Sequence, residues 1–150
     1  MMTELHVHSE GLLACAERSF TRDLTAVADA RTFVSALLTR WGITKGFDDI
    51  RLCVSELATN ALVHGVSSTH GFTLRVVASL QWLRVEVEDN APGRPVRRAS
   101  RCEGTSGRGL LLVSAMADAW GVDEQADGKV VWAEFKLHTS VTEHAVGAAC

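Results

Sequence analysis

The stretch Leu52–Gly65, LCVSELATNALVHG, carries Glu56, Asn60 and His64 at four-residue spacing. Four residues is slightly more than one helical turn, so on a helix the three polar side chains lie along one ridge. Most such ridges are solvated faces. Here Leu52 and Val63 fall on one side of it, and Ile50, Val54, Leu57 and Ala61 on the other. A carboxylate and an amide walled in by apolar residues need partners, because burying them unpaired is costly. A metal, a ligand or an internal hydrogen bond would each serve.

The periodicity on either side predicts the remaining elements. Residues 17–24 read as an edge strand. Thr25–Trp41 reads as a helix with Val27, Ala30, Phe33, Val34, Leu37, Leu38 and Trp41 on one broad apolar face, ended by Gly42. Asp48 or Asp49 opens the second helix, as N-cap or by favouring the positive end of its dipole. Phe72, Leu74, Val76, Ala78 and Leu80 alternate on one strand. Leu83, Val85 and Val87 alternate on the next, with Arg84, Glu86 and Glu88 outward. A Pro/Gly/Arg-rich loop covers 90–106, a third helix 107–119, and two strands 119–124 and 129–138. This order implies an α+β fold, a two-layer α/β sandwich with a mainly antiparallel mixed sheet and helices on one face. Residues 1–16 read as a flexible segment, 17–138 as one domain and 139–150 as a flexible tail. His6 and His8 belong to the frayed N-terminal segment.

Composition narrows the class. The chain has 150 residues, 47% of them hydrophobic, with a net charge of −3. That is one domain with a substantial core and no basic footprint for direct nucleic-acid binding. No apolar run reaches the roughly 18 residues of a membrane span. MMTELHVHSEGLLAC has acidic residues where a secretory signal is basic, so a cytoplasmic location is expected. Cys15, Cys53, Cys102 and Cys150 form no C-x-x-C pair and read as reduced thiols.

Continuing the inward alternation of Leu83, Val85 and Val87 brings Asp89 to the core face. Two readings are open: the chain has already turned and Asp89 caps the loop, or Asp89 is a buried acceptor that reads a ligand donor such as a purine amino group. Thr105-Ser106-Gly107-Arg108-Gly109 precedes an apolar helix, where free N–H groups and the dipole favour an anion. A lone G-x-G is weak, and the Walker pattern is absent. Arg108 either adds charge at the phosphates or is simply exposed. Arg94, Arg97, Arg98 and Arg101 form a basic cluster, a solvated loop by default.

E-x-x-x-N on a helix, D-x-x-x-G after a strand and G-x-G opening a helix, in that order, form a specific set. The chain resembles the GHKL ATPases of the Bergerat fold, and among them the small anti-sigma factor serine kinases, from about residue 18 to residue 137. The resemblance implies ATP and Mg²⁺ as cofactors. Asn60 would be the metal ligand, Glu56 the general base, and Asp89 the acceptor for the adenine amino group. Gly93 would lie beside the base, and Ser106, Gly107, Arg108 and Gly109 at the phosphates. His64 would help position the phosphate or only pack locally. The implied partners are a sigma factor and an anti-sigma antagonist protein, with a homodimer as the assembly. Trp41, Trp82, Trp120 and Trp132 are interface or core residues, and Arg31 is a solvated arginine by default.

Two departures from the family pattern bear on adenine binding. Ala91 replaces the first glycine of D-x-G-x-G and Pro92 removes an N–H donor. Lys129 follows Gly128 where the family tends to have threonine. Two functions are therefore weighed: an anti-sigma factor with protein serine/threonine kinase activity, and a non-catalytic nucleotide-binding module that switches partners by binding alone. The catalytic domain of a sensor histidine kinase is disfavoured, because no dimerisation helix with a phospho-accepting histidine is recognisable.

Overall fold

The computed structural model describes residues 12–64, 71–89, 107–125 and 128–137. Along the chain run β1 (Leu12–Phe20), α1 (Ala26–Arg40), α2 (Phe47–His64), β2 (Phe72–Ser79), β3 (Trp82–Asp89), α3 (Gly107–Met116), β4 (Ala119–Gln125) and β5 (Gly128–Lys136). The five strands form one sheet in the order β1-β2-β3-β5-β4, and the helices pack on one face of it. Every neighbouring pair is antiparallel. The expected mixed character is absent among the described strands. β4 runs parallel to β3, but β5 is inserted between them and pairs antiparallel with both.

Local chemistry explains the boundaries. β1 starts at Leu12, five residues before the expected strand, because Ala14 and Cys15 pair with Ala78 and Val77 and bury. It ends at Phe20 because the next residues form a polar turn. Thr25 and Thr21 donate their hydroxyls to the Asp23 carboxylate, which lowers its pKa. α1 closes with the Gly42 N–H on the Thr39 carbonyl at 3.2 Å and the Ile43 N–H on the Leu38 carbonyl at 2.9 Å. Gly42 has φ 76°, the left-handed geometry that this paired closure requires. α2 is opened by Gly46 rather than by an aspartate; Asp48 and Asp49 lie in its first turn and favour the positive dipole end.

The core lies between sheet and helices. Val34, Leu38, Ile50, Val54 and Leu57 of the helices meet Leu74, Val76, Leu83, Val85 and Val87 of the strands. Phe20 stacks on Phe72 with centroids 5.2 Å apart and meets Phe33 edge-on at 6.1 Å. Trp41 belongs to this core, and Trp120 packs against it.

The opposite face is charged yet closed. One row crosses the whole sheet: Glu17, Arg75, Glu86, Trp132 and Gly121. Arg75 donates to Glu86 at 2.7 Å and to Glu17 at 3.0 Å; Arg84 donates to Glu86 at 2.8 Å and to Glu134 at 2.9 Å. Burial opposes the Arg75 charge, but the hydrogen bonds it donates to Glu86 and Glu17, with their negative charges, outweigh this and raise the pKa. Arg84 and Glu86, expected outward, do point away from the helices, yet both are buried by this network. The Arg84 guanidinium lies 4.2 Å from the Trp132 ring centroid.

Cys15 alternates with core-facing Ala14 and Ala16, so it too points away from the helices. It is disulfide-bonded, which corrects the expectation of reduced thiols throughout; its partner lies outside the described residues. Cys53 is free and fully buried.

Two glycines mark close approaches. A Cβ on Gly71 would sit 1.7 Å from the Phe20 carbonyl oxygen, and one on Gly121 would sit 2.6 Å from the Trp132 ring. Gly71→Ala must displace backbone and is expected to cost about 3 kcal/mol; Gly121→Ala must move a ring held by Arg84, at about 1–3 kcal/mol. Urea unfolding measures both, and a wild-type midpoint for either variant would contradict the approach described.

Burial, aided by the negative charges of Asp49 and Glu56, pushes the Cys53 thiol up to about 12 from 9.0. The folded state therefore holds this proton more tightly than the unfolded state. The site's contribution to stability is intact below pH 9 and is lost as pH rises toward 12. Wild type should lose stability more steeply than Cys53→Ala above pH 9, and Cys53 should resist alkylation at pH 8 until urea is added. Rapid labelling of the native protein would refute this.

Candidate functional site

The α2 sequence repeats apolar residues at helical spacing, and Ile50, Cys53, Val54, Leu57 and Ala58 are buried as a result. That docking fixes the rotation of the helix about its axis. Asn60 is thereby directed toward the ends of β3 and β5. The far end of α2 is tied down by Arg22, whose Nη1 donates to the Leu62 carbonyl at 2.5 Å. A cation there also suits the negative end of the dipole.

The ridge is walled on one side only. Ile50, Val54 and Leu57 are buried and Ala61 is half-buried, but Leu52 and Val63 are exposed. Helices pack on the sheet through one face, and among the described residues no second layer covers these two on the other face of α2. Glu56 and Asn60 are accordingly half-buried at the border between core and surface.

β3 remains a strand through Asp89, which pairs with Phe72 and is 7% exposed. The alternation therefore holds to the last residue, and Asp89 faces the helix side. The reading in which the chain had already turned is not what the structure adopts. Leu57, Asn60 and Ala61 of α2, Val87 and Asp89 of β3, and Lys129 and Val131 of β5 line one small pocket of about 10 Å³. Its enclosed part holds roughly one water, so a larger ligand would occupy its mouth. The surface that these seven residues present to the enclosed part is apolar, and Asn60, Asp89 and Lys129 are the polar residues among them.

Sequence reasoning picked out Asn60 and Asp89 separately, and the fold brings them to one pocket across 29 positions of chain. Glu56 lies one turn before Asn60 and does not line the pocket. Gly107 and Gly109 form the first turn of α3, which packs against α2, with Val113 buried and Leu110 half-buried. His64 is the last residue of α2. The side chains of His64 and Arg108, and the whole of Gly93, Ser106 and the basic cluster Arg94, Arg97, Arg98 and Arg101, lie outside the described residues.

Two placements were not foreseen. Lys129 shares the pocket with Asp89; only the β3–β5 register reveals this, since Glu88 pairs with Val130 and the next residues along are Asp89 and Lys129. Arg31 is half-buried rather than solvated, and its Nη1 donates to the Ser55 hydroxyl at 3.1 Å, one residue from Glu56.

No helix among the described residues is long and apolar enough to cross a membrane. In fold the chain is similar to the crystal structure of the RsbU and RsbW domains of Rv1364c from Mycobacterium tuberculosis, with a TM-score of 0.64 and 17% identity, covering 82% of this chain and 32% of that one. The chain thus spans about a third of that protein. It is also similar to the crystal structure of the SiaB–SiaC complex from Pseudomonas aeruginosa, with a TM-score of 0.51 and 10% identity, over 90% of this chain and 98% of that one. At these identities the likeness is one of fold. No curated protein sequence matches the chain. Residues 20–135 match the histidine kinase-like ATPase domain. That match spans most of the chain and agrees with three helices on an antiparallel sheet, so the chain belongs to the histidine kinase-like ATPase domain family, the GHKL ATPases.

Proposed function

We propose that this domain binds ATP with Mg²⁺ and acts as an anti-sigma factor with protein serine/threonine kinase activity, sequestering a sigma factor and phosphorylating an anti-sigma antagonist. The observation that carries the reading is that Asn60 and Asp89 line one aliphatic-walled pocket.

The residues fit the nucleotide. Leu57, Ala61, Val87 and Val131 offer apolar contact to a flat base, and the Asp89 carboxylate would accept from its exocyclic amine. Asn60 offers an amide oxygen, a hard donor suited to Mg²⁺. Among the described residues no group of three His, Cys, Asp or Glu side chains is placed to hold a metal unaided. One protein ligand beside phosphates and waters is the pattern expected of a magnesium ion that arrives with its nucleotide. When bound, the ion would neutralise charge on the phosphates.

Glu56, half-buried one turn from Asn60, would take the proton from the acceptor hydroxyl. The first turn of α3, with Gly107 and Gly109, would offer N–H groups to the phosphates. Gly93, Ser106, Arg108 and His64 are proposed to complete the nucleotide contacts. The SiaB–SiaC complex pairs two proteins, which supports a partner-binding role for a chain of similar fold. A cytoplasmic homodimer is the proposed form of the protein.

A second reading is favoured by one observation: Lys129, which has no hydroxyl, lines the pocket. With Ala91 in the glycine box, it supports a module that binds nucleotide and switches partners without phosphoryl transfer.

Isothermal titration with Mg–ATP, followed by incubation with labelled ATP and candidate antagonists, decides between the two. Asn60→Ala should abolish transfer and the Mg²⁺-dependent part of affinity. Glu56→Ala should abolish transfer with binding retained. Asp89→Asn should weaken binding about 100-fold or more, by turning an amide on the amine. Wild-type turnover in either of the first two variants would end the kinase reading. Binding without transfer by wild type establishes the second.

A further inference from the structure

We propose that residues 138–150 dock on the outer face of the sheet and are fastened there by a disulfide between Cys15 and Cys150, so that thiol redox state opens and closes this face. The inference is independent of the nucleotide reading above.

The outer face is more enclosed than its described neighbours account for. Leu74, Val76 and Ala78 of β2 belong to the helix-side core, so Val77 between them points the other way. It is nonetheless only 1% exposed, and Cys15 opposite it 8%. Among the described residues all the helices pack on the far side of the sheet. Lateral ion pairs satisfy Arg84 and Glu86, but an uncovered sheet face leaves the tops of its side chains to water. Thr73, Trp82 and Glu134 share this face, and each makes an interaction beyond those among the described residues. A further layer of chain accounts for all of these.

The disulfide at Cys15 identifies that layer. Cys53 is free, so within the chain the second sulfur belongs to Cys102 or Cys150. Cys102 lies five residues before Gly107, a reach of at most about 18 Å. Gly107 opens α3 on the helix side, where α3 flanks α2; α1 lies on the β1 side, with Phe33 against Phe20. Rounding the β1 edge means passing two helices packed about 8–10 Å apart, which uses that whole reach before the chain turns under the sheet. Over the Phe20 end, Cys15 is five residues down β1, about 17 Å, again before the sheet is crossed.

Cys150 meets no such obstacle. Cys15, Val77, Arg84 and Glu134 form one cross-strand row, so β5 is about 14 Å from Cys15. The Leu137 N–H bonds to the Gln81 carbonyl at 2.8 Å, which brings the chain out three residues past Glu134. Thirteen residues from there to Cys150 reach up to about 43 Å, enough to cross the row with slack. Residues 1–11 contain no cysteine. The segment HTSVTEHAVGAAC also suits a face whose charges are already paired: it offers Val141, Ala145 and Val146, and Glu143 is its one carboxylate. Closing the bond takes two electrons and two protons from the two thiols. Glutathione disulfide accepts them and becomes two glutathione thiols; dithiothreitol reverses the step and closes to its own cyclic disulfide.

The test uses the full chain, incubated with glutathione disulfide, alkylated without reductant and digested with trypsin. Peptide 1–18 should be linked to peptide 137–150. Linkage of 1–18 to 102–108, a bond between two chains, or free thiols throughout would each overturn the proposal. Indole N–H spectra of the ¹⁵N-tryptophan protein then read the cover itself. Dithiothreitol should shift Trp82 and Trp132, on the outer face, and leave Trp41 and Trp120, on the helix side, in place. Cys150→Ser should show the reduced spectrum with or without dithiothreitol, and Cys102→Ser should respond as wild type does. Outer-face resonances that reduction leaves unmoved would refute the docking even with the bond in place. So would a wild-type response from Cys150→Ser, which would give the cover to another segment.

Discussion

Asp89 is buried because β3 stays paired to its last residue, with Phe72 of β2 opposite it and Val130 of β5 opposite the preceding Glu88. A strand has a two-residue period, so a ladder that sets Leu83, Val85 and Val87 against the helices has no freedom over the residue that follows Glu88. Fraying of one pair would let that carboxylate rotate out to water. The stacked rings of Phe20 and Phe72, 5.2 Å apart, sit in the same cross-strand row and hold the end of the ladder shut. Such a stack adds about 0.5–1.5 kcal/mol beyond its burial. The pocket is thus built by the aromatic cluster beside it as much as by its own lining.

What a single sequence discloses follows from the range of each interaction. The α2 ridge and the β3 alternation are local patterns, and both were legible: one period of 3.6 and one of 2 set Asn60 and Asp89 in the right orientations. The family match and the sandwich of helices on a sheet agree with that reading. The start of β1 was not legible, because Ala14 and Cys15 become strand only through Ala78 and Val77, more than sixty positions away. Nor was the wholly antiparallel order, which depends on β5 inserting between β3 and β4. Lys129 was visible as an unusual residue. Its place in one pocket with Asp89 is a property of how β5 lies beside β3, which no window of sequence contains. The ridge also looked more enclosed than it is. Leu52 and Val63 suggested a second apolar wall, and in the fold they are exposed.

The outer face shows why charge in a sequence is an unreliable sign of solvent. Arg84 and Glu86 read as surface residues of an alternating strand, yet their side chains are 3% and 7% exposed. Cross-strand pairing alternates the signs: glutamate on β1, arginine on β2, glutamate on β3. Each charge then meets its opposite laterally, and the indole of Trp132 covers the Arg84 guanidinium. The individual pairs differ in weight. Arg75–Glu17, partly exposed, is worth at most about 1 kcal/mol. Removing one partner from the buried Arg84–Glu86 pair would leave a desolvated charge, at about 3–5 kcal/mol.

The insertion of β5 has a kinetic side. β3 receives its second neighbour only from the last strand of the domain, so the sheet cannot close until that strand is made. During synthesis β1, β2 and β3 emerge first and can pair as a meander, with the inner edge of β3 exposed. An unpaired edge of valines is a template for association with another chain. The arginine and glutamates along β3 interrupt that edge with charge, which is how natural sheets discourage such pairing. The same residues that later lock the outer face therefore guard the nascent chain before Val131 arrives. The pocket is assembled last, because two of its lining residues belong to the strand that completes the fold.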